Sequence, residues 1–140
     1  TDISLLVQKE VAERIARSRK ESLLSESVKA YGTPQYVRTV LRGSFNPPPS
    51  VDSAILAIHD ISRKNFENVS EKIFFELLHL GFGQKRKTLL GNLRRGLTRE
   101  GNRHNEVTLK EIFVAVGIDE KARAEDLPLA SWLQLAKRLS

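Results

Sequence analysis

The sequence predicts an α/β unit followed by a small all-α unit of about four helices. Three observations carry this. Two stretches alternating apolar and polar residues, Tyr36–Leu41 and Val51–Ile61, flank a run of three prolines, Pro47–Pro49. A short apolar stretch, Ile3–Val7, runs directly into a helical pattern. From about residue 70 the apolar spacing is helical only. Period-two alternation marks half-buried strands, and spacing at three and four marks helices.

Taken in order, Ile3–Val7 reads as a buried strand. Gln8–Arg17 reads as a helix with Val11, Ala12 and Ile15 inward and Glu10, Glu13 and Arg14 outward. The basic run Arg17–Lys20 marks a loop. Leu23–Tyr31 reads as a second helix stopped by Gly32 and Pro34. The strands Tyr36–Leu41 and Val51–Ile61 follow. Prolines lack an amide donor and fix φ near −65°, so Pro47–Pro49 force a stiff, extended linker between those strands. Such a linker holds Phe45, just before it, at the edge of a sheet.

Residues 62–69 are polar and read as a linker between a unit over 1–61 and a helical unit over 70–140. Asn68 with Glu71 forms a candidate capping box for a helix carrying Ile73, Phe74, Leu77, Leu78 and Phe82. Gln84–Gly96 reads as a basic helix, Glu100–Asn105 as a loop. Thr108 with Glu111 is a second candidate box, opening a helix that runs through Val116 and ends at Gly117. Pro128 opens the last helix, with Leu129, Trp132, Leu133 and Ala136 on one face.

Composition narrows the function classes. The 140 residues carry a net charge of +6 and no cysteine, which excludes disulfides and thiolate metal sites and fits a reducing, cytoplasmic setting. There is no apolar run long enough to span a membrane and no visible signal peptide. From Leu77 to Arg99 there is no acidic residue, but there are six basic ones: Lys85, Arg86, Lys87, Arg94, Arg95 and Arg99. With those set aside, the remaining basic residues equal the 17 acidic ones. The whole excess of positive charge therefore sits in one stretch, which points to a polyanionic partner. On a helical wheel Leu89, Leu90, Leu93 and Leu97 form one stripe. Lys87, Arg94 and Arg95 fall opposite it, and Arg86 falls near it, as a partly buried, paired arginine would. Lys85, Lys87, Arg94, Arg95 and Arg99 are the candidate phosphate contacts. His59, His79 and His104 lack ligand spacing, so no metal site is expected. Gln8-Lys9-Glu10 reads as a helix start with surface charges. On composition alone Phe45 reads as a core aromatic at a strand end.

Three blocks, in order, resemble the ribosomal RNA small-subunit adenine N6,N6-dimethyltransferase family: Leu6–Ile15 (LVQKEVAERI), Phe45–Ala54 (FNPPPSVDSA) and Phe82–Leu93 (FGQKRKTLLGNL). Ser50, Lys85 and Gly91 depart from the usual pattern. The resemblance runs from about Ile3 to the C-terminus. It implies the C-terminal half of a class I, Rossmann-like methyltransferase sheet, followed by a helical RNA-binding domain. It further implies an S-adenosylmethionine-dependent enzyme of ribosome biogenesis acting on small-subunit ribosomal RNA in a 30S-type subunit, with Phe45 stacking on the target adenine. In that family the Gly-rich cofactor loop, the ribose-binding acid and the Asn-Leu-Pro-Tyr motif lie upstream. The chain starts at Thr1 with none of them, so it is expected to be a fragment, inactive alone and without a cofactor site, and a monomer. Two other readings stay open: a non-catalytic, helix-turn-helix-like nucleic-acid module, and a large-subunit methyltransferase of the antibiotic-resistance type. A mitochondrial transcription-factor relative also remains open.

Overall fold

A computed structural model describes residues 1–99 and 106–139, with 98, 99 and 106 described by backbone alone. Two units are compact in themselves, Thr1–Lys64 and Asn65–Ser140.

In the first unit, β1 (Ile3–Gln8) leads without a loop into α1 (Lys9–Ala16); α2 (Leu23–Lys29), β2 (Thr33–Val40) and β3 (Ser53–His59) follow. The strand order is β1-β3-β2, and β3 is antiparallel to both neighbours. Strands β1 and β2 therefore run the same way, joined by a helical crossover. Directly opposed residues share a face. The pairs Val7↔Ala54 and Tyr36↔Leu56 thus put four apolar side chains on one side of the sheet. Helix α1 covers that side: Ala12 and Ile15 pack on Ala54 and Leu56, ringed by Val7, Val11, Ala16, Val28 and Tyr36. Burying an Ile or Leu side chain contributes about 1.5–3 kcal/mol, so Ile15 and Leu56 anchor the layer. The Arg17 guanidinium lies 3.7 Å from the centroid of the Tyr36 ring.

Strand β2 starts at Thr33 and includes Pro34, which was expected to end the preceding helix and stand outside the strand. Each strand flanking β3 is an edge of the described sheet, and a missing amide donor is tolerated there. An irregularity between Tyr36 and Arg38 shifts the register by one residue at Val37.

In the second unit, α3 (Glu71–Gly81), α4 (Leu89–Arg99), α5 (Glu106–Val116) and α6 (Leu129–Arg138) pack so that α3 and α5 each contact α4 and α6. Their buried faces carry Phe74, Leu77 and Leu78; Leu89, Leu90 and Leu93; Leu109 and Phe113; Trp132, Leu135 and Ala136. Phe82 stacks on Trp132 at a centroid distance of 5.5 Å. The helix after the linker is capped by Ser70, whose hydroxyl accepts the Ile73 amide at 3.3 Å; the expected Asn68 box is not used. The Thr108–Glu111 box is not used either, because α5 already begins at Glu106. Gly117 ends α5 with φ +84°, the left-handed conformation that favours glycine after a helix. Pro128 stands one residue ahead of α6 as its cap.

Candidate nucleic-acid interface

One candidate site is the carboxyl edge of the sheet in the first unit, where open α/β sheets bind ligands. Strands β1 and β2 both end there, at Gln8 and Val40, and the connection 41–52 crosses it to reach β3. Asp52 ties this connection down at both ends. Its Oδ1 accepts the Arg42 amide at 2.7 Å, and its carbonyl accepts the Lys9 amide, the first of α1, at 3.0 Å. A 3-10 turn at Arg42–Ser44 follows, and the Phe45 amide donates to the Arg42 carbonyl at 3.2 Å. The Asn46–Pro47 peptide is cis. Between Leu41 and Val51 every residue is exposed except Phe45, which is half-buried. A cleft of about 450 Å³ opens at the same edge, lined by Gln8, Lys9, Glu13, Arg42, Val51 and Asp52 among others. Gln8-Lys9-Glu10 is the strand-to-helix turn the sequence predicts, with Glu10 paired to Arg14 on the surface at 2.9 Å.

A separate candidate, in the second unit, is the basic stretch, and here the structure corrects the reading of one helix over Gln84–Gly96. Helix α4 begins only at Leu89. Before it, Gln84–Lys87 form a turn closed by the Lys87 amide on the Gln84 carbonyl at 3.1 Å, with Lys85 and Arg86 at its centre. Thr88 caps the helix: its Oγ1 accepts the Gly91 amide at 3.1 Å. The chain leaves helical geometry here because the threonine hydroxyl satisfies an amide that an upstream carbonyl would otherwise hold. Arg86 is exposed, so the expectation of a partly buried, paired arginine is also corrected: it sits on a turn, not beside the leucine stripe. Lys85, Lys87, Arg94 and Arg95 are exposed. Arg99 ends α4, and its side chain lies outside the described residues. Arg95 is not a bare surface cation. Its Nη2 donates to Asn92 Oδ1 at 2.7 Å, and Asn92 is buried.

The histidines do not cluster among the described residues. His59 lies at the far end of β3, with Nε2 2.6 Å from Gln35 Oε1 and Nδ1 3.3 Å from Asp2 Oδ2. The Asp60 amide also donates to Asp2 Oδ1 at 2.9 Å; this bond first, and His59 second, hold the Asp2 carboxyl below its ordinary pKa. His79 is exposed on α3, and His104 lies outside the described residues. Among the described residues no acid–histidine group could hold a metal ion, and no helix is long and apolar enough to cross a membrane.

Two residues that matter here escaped the sequence reading, Asp52 and Asn92. Each acts on backbone groups far along the chain, and periodicity does not mark such bonds. The only local signal was position: an acid just before a strand, and an amide on the core side of a helix otherwise lined with leucines.

The architecture is a three-stranded antiparallel sheet with two helices, followed by a helical unit. The chain belongs to the ribosomal RNA adenine dimethylase family, whose description matches residues 1–140. It is 42% identical over 132 residues to the ribosomal RNA small subunit methyltransferase A of Dehalococcoides mccartyi strain CBDB1, covering 94% of this chain and 44% of that one. The protein of the same name from Geobacillus kaustophilus is 32% identical over 139 residues, covering 97% and 47%. The crystal structure of a dimethyladenosine transferase from Plasmodium falciparum superposes with a TM-score of 0.75 at 27% identity, over 96% of this chain and 55% of that one. The 23S rRNA methyltransferase ErmE, at TM-score 0.65 and 19% identity, shares the fold. The chain thus spans less than half the length of these curated relatives.

The family implies S-adenosylmethionine. These 140 residues do not fit it as a cradle: the described strand-to-helix turn, Gln8 to Lys9, has no glycine, and no Gly-rich turn occurs elsewhere in the sequence. Calorimetry on the 140 residues is expected to give no heat of binding with S-adenosylmethionine. A micromolar dissociation constant would disprove this.

Proposed function

We propose that this chain is part of an S-adenosylmethionine-dependent enzyme that dimethylates adenine N6 in small-subunit ribosomal RNA. Residues 1–61 supply the end of the methyltransferase sheet, residues 62–69 link, and residues 70–140 bind RNA. The cofactor and the transfer chemistry belong to residues outside these 140; the complete enzyme works in the cytoplasm as a monomer. The observation that carries the reading is the family match over the whole chain, together with relatives named for small-subunit methylation. The placement of Phe45 supports its role. An enzyme that modifies a base takes it out of the stack and holds it, commonly on an aromatic face. Phe45 is half-buried in the connection that Asp52 ties down at the carboxyl edge of the sheet.

Lys85, Lys87, Arg94, Arg95 and Arg99 supply positive charge to the RNA backbone, which positions the enzyme without reading sequence. Their surroundings contain no acid in sequence from Leu77 to Arg99. Replacing Lys85, Lys87 and Arg94 together with Gln is expected to weaken binding to ribosomal RNA. The log–log salt slope should flatten by roughly 0.7–0.9 per lost contact, with little change in melting temperature because exposed charges contribute little to stability. A salt titration of wild type and the triple variant measures this; equal slopes would move the RNA surface elsewhere.

A further inference from the structure

The geometry points to Asn92 and Arg95 as positioning residues that hold the Gln84–Lys87 turn in place for phosphate contact. This rests on the RNA-binding reading above, and goes beyond it by assigning a neutral, buried side chain and its arginine partner to RNA affinity.

The turn carries Lys85 and Arg86 at its centre and Lys87 at its end, all exposed. A four-residue turn closed by one hydrogen bond at 3.1 Å does not hold three cations in a fixed place by itself. Asn92 adds what the turn lacks. Its Nδ2 donates to the Gln84 carbonyl at 3.1 Å, the same oxygen that closes the turn, and to the Gly81 carbonyl at 2.9 Å. The Gly81 carbonyl is one of the last in α3, which a helix end leaves without an intrahelical partner. One amide therefore ties the end of α3 and the start of the cationic turn to the first turn of α4. The α3 end packs closely at Gly81, where a Cβ would lie 2.6 Å from Trp132 Cη2 and 2.8 Å from Leu89 Cδ1.

Arg95 reinforces the way that amide faces. With both Nδ2 protons on carbonyls, Oδ1 points at Arg95 Nη2 and accepts from it at 2.7 Å. The flipped amide would set its oxygen against two carbonyls and its protons against a guanidinium, losing three hydrogen bonds at once. The exposed Arg95 thus acts on the turn through Asn92 in addition to supplying its own charge, while Lys85, Arg86 and Lys87 meet the phosphate charge from the turn itself.

The test uses the 140-residue chain with small-subunit ribosomal RNA, comparing wild type, Asn92→Ala, Arg95→Gln and the triple Lys85→Gln, Arg86→Gln, Lys87→Gln. Asn92→Ala removes no charge. It is nevertheless expected to flatten the salt slope by at least one contact, roughly 0.7–0.9, and to reproduce part of the change seen in the triple variant. Arg95→Gln removes one charge and is expected to cost more than one contact. Slopes unchanged in Asn92→Ala, or lowered by one contact or less in Arg95→Gln while the triple variant responds, would overturn the assignment. Because Arg95 is exposed, its variant remains informative should Asn92→Ala unfold. A second readout needs no RNA: amide exchange at Lys87 should quicken in both single variants, and unchanged exchange overturns the assignment. Wild type failing to bind RNA would instead overturn the reading above, leaving the exchange result to judge the turn.

Discussion

Phe45→Ala in the complete enzyme is expected to lower the single-turnover rate of adenine methylation in small-subunit ribosomal RNA by about 5- to 150-fold. Stacking of a base on an aromatic side chain contributes roughly 1–3 kcal/mol, and each 1.4 kcal/mol is about tenfold. The loss should fall on the rate because a flipped base held off the ring is a base out of line with the methyl donor. The fold should survive. Phe45 is only half-buried, and the loop around it is secured by backbone bonds from Arg42 and Lys9 to Asp52 that do not involve the ring. Phe45→Trp and Phe45→Tyr, which keep an aromatic face, should retain much of the rate, and Phe45→Leu should resemble Ala. Equal rates for wild type and Phe45→Ala would mean that the ring only fills space at the strand end.

What the sequence made legible follows from how local each signal was. The period-two runs and the helix spacing of Val11, Ala12 and Ile15 depend on neighbours a few residues away, and β1, α1 and β3 lie close to where they were expected, but β1, expected as a buried strand, is exposed at every residue except Val7. The proline run marked the loop because proline acts on its own backbone. The start of α4 was missed because residues 84–88 hold no glycine or proline to stop a helix in the sequence, while Thr88 and the Gln84–Lys87 bond end it in space. Of the candidate site, the exposed cations were legible as a charge run. The bonds that hold them, Asn92 to Gly81 and Gln84, join residues 11 and 8 positions apart and leave no periodic trace. Asp52, ten residues from Arg42, is the same case. Glu26 is buried on α2, and no local pattern marks it.

Glu26→Met is expected to make the first unit more stable at pH 8, by about 2–4 kcal/mol, and to remove most of its pH dependence. Glu26 lies in α2, capped by a reciprocal Ser22–Ser25 pair, and is fully buried with neither carboxyl oxygen hydrogen-bonded. Its charged neighbours are Glu21 and Lys29, which pair with each other at 2.7 Å. Burial first, and the negative charge of Glu21 second, push the Glu26 carboxyl up to about 8, against a smaller opposing pull from Lys29. The sign follows from where the proton sits. The folded chain keeps it up to about pH 8, and the unfolded chain releases it near the ordinary value of 4.5. Raising the pH through that window therefore favours the unfolded state, by at most about 1.4 kcal/mol per unit. Stability should be greatest at the acid end of the window, fall across it, and level off above about pH 8. Methionine is unbranched and close in length to glutamate, so it fills the same space without a group that needs a partner. Urea unfolding of wild type and Glu26→Met at pH 5, 6.5 and 8, followed by a probe in the first unit, measures the difference at each point. The two curves should converge at low pH and separate as pH rises. Parallel curves would mean that water reaches Glu26 and that its carboxyl ionises as an ordinary surface acid.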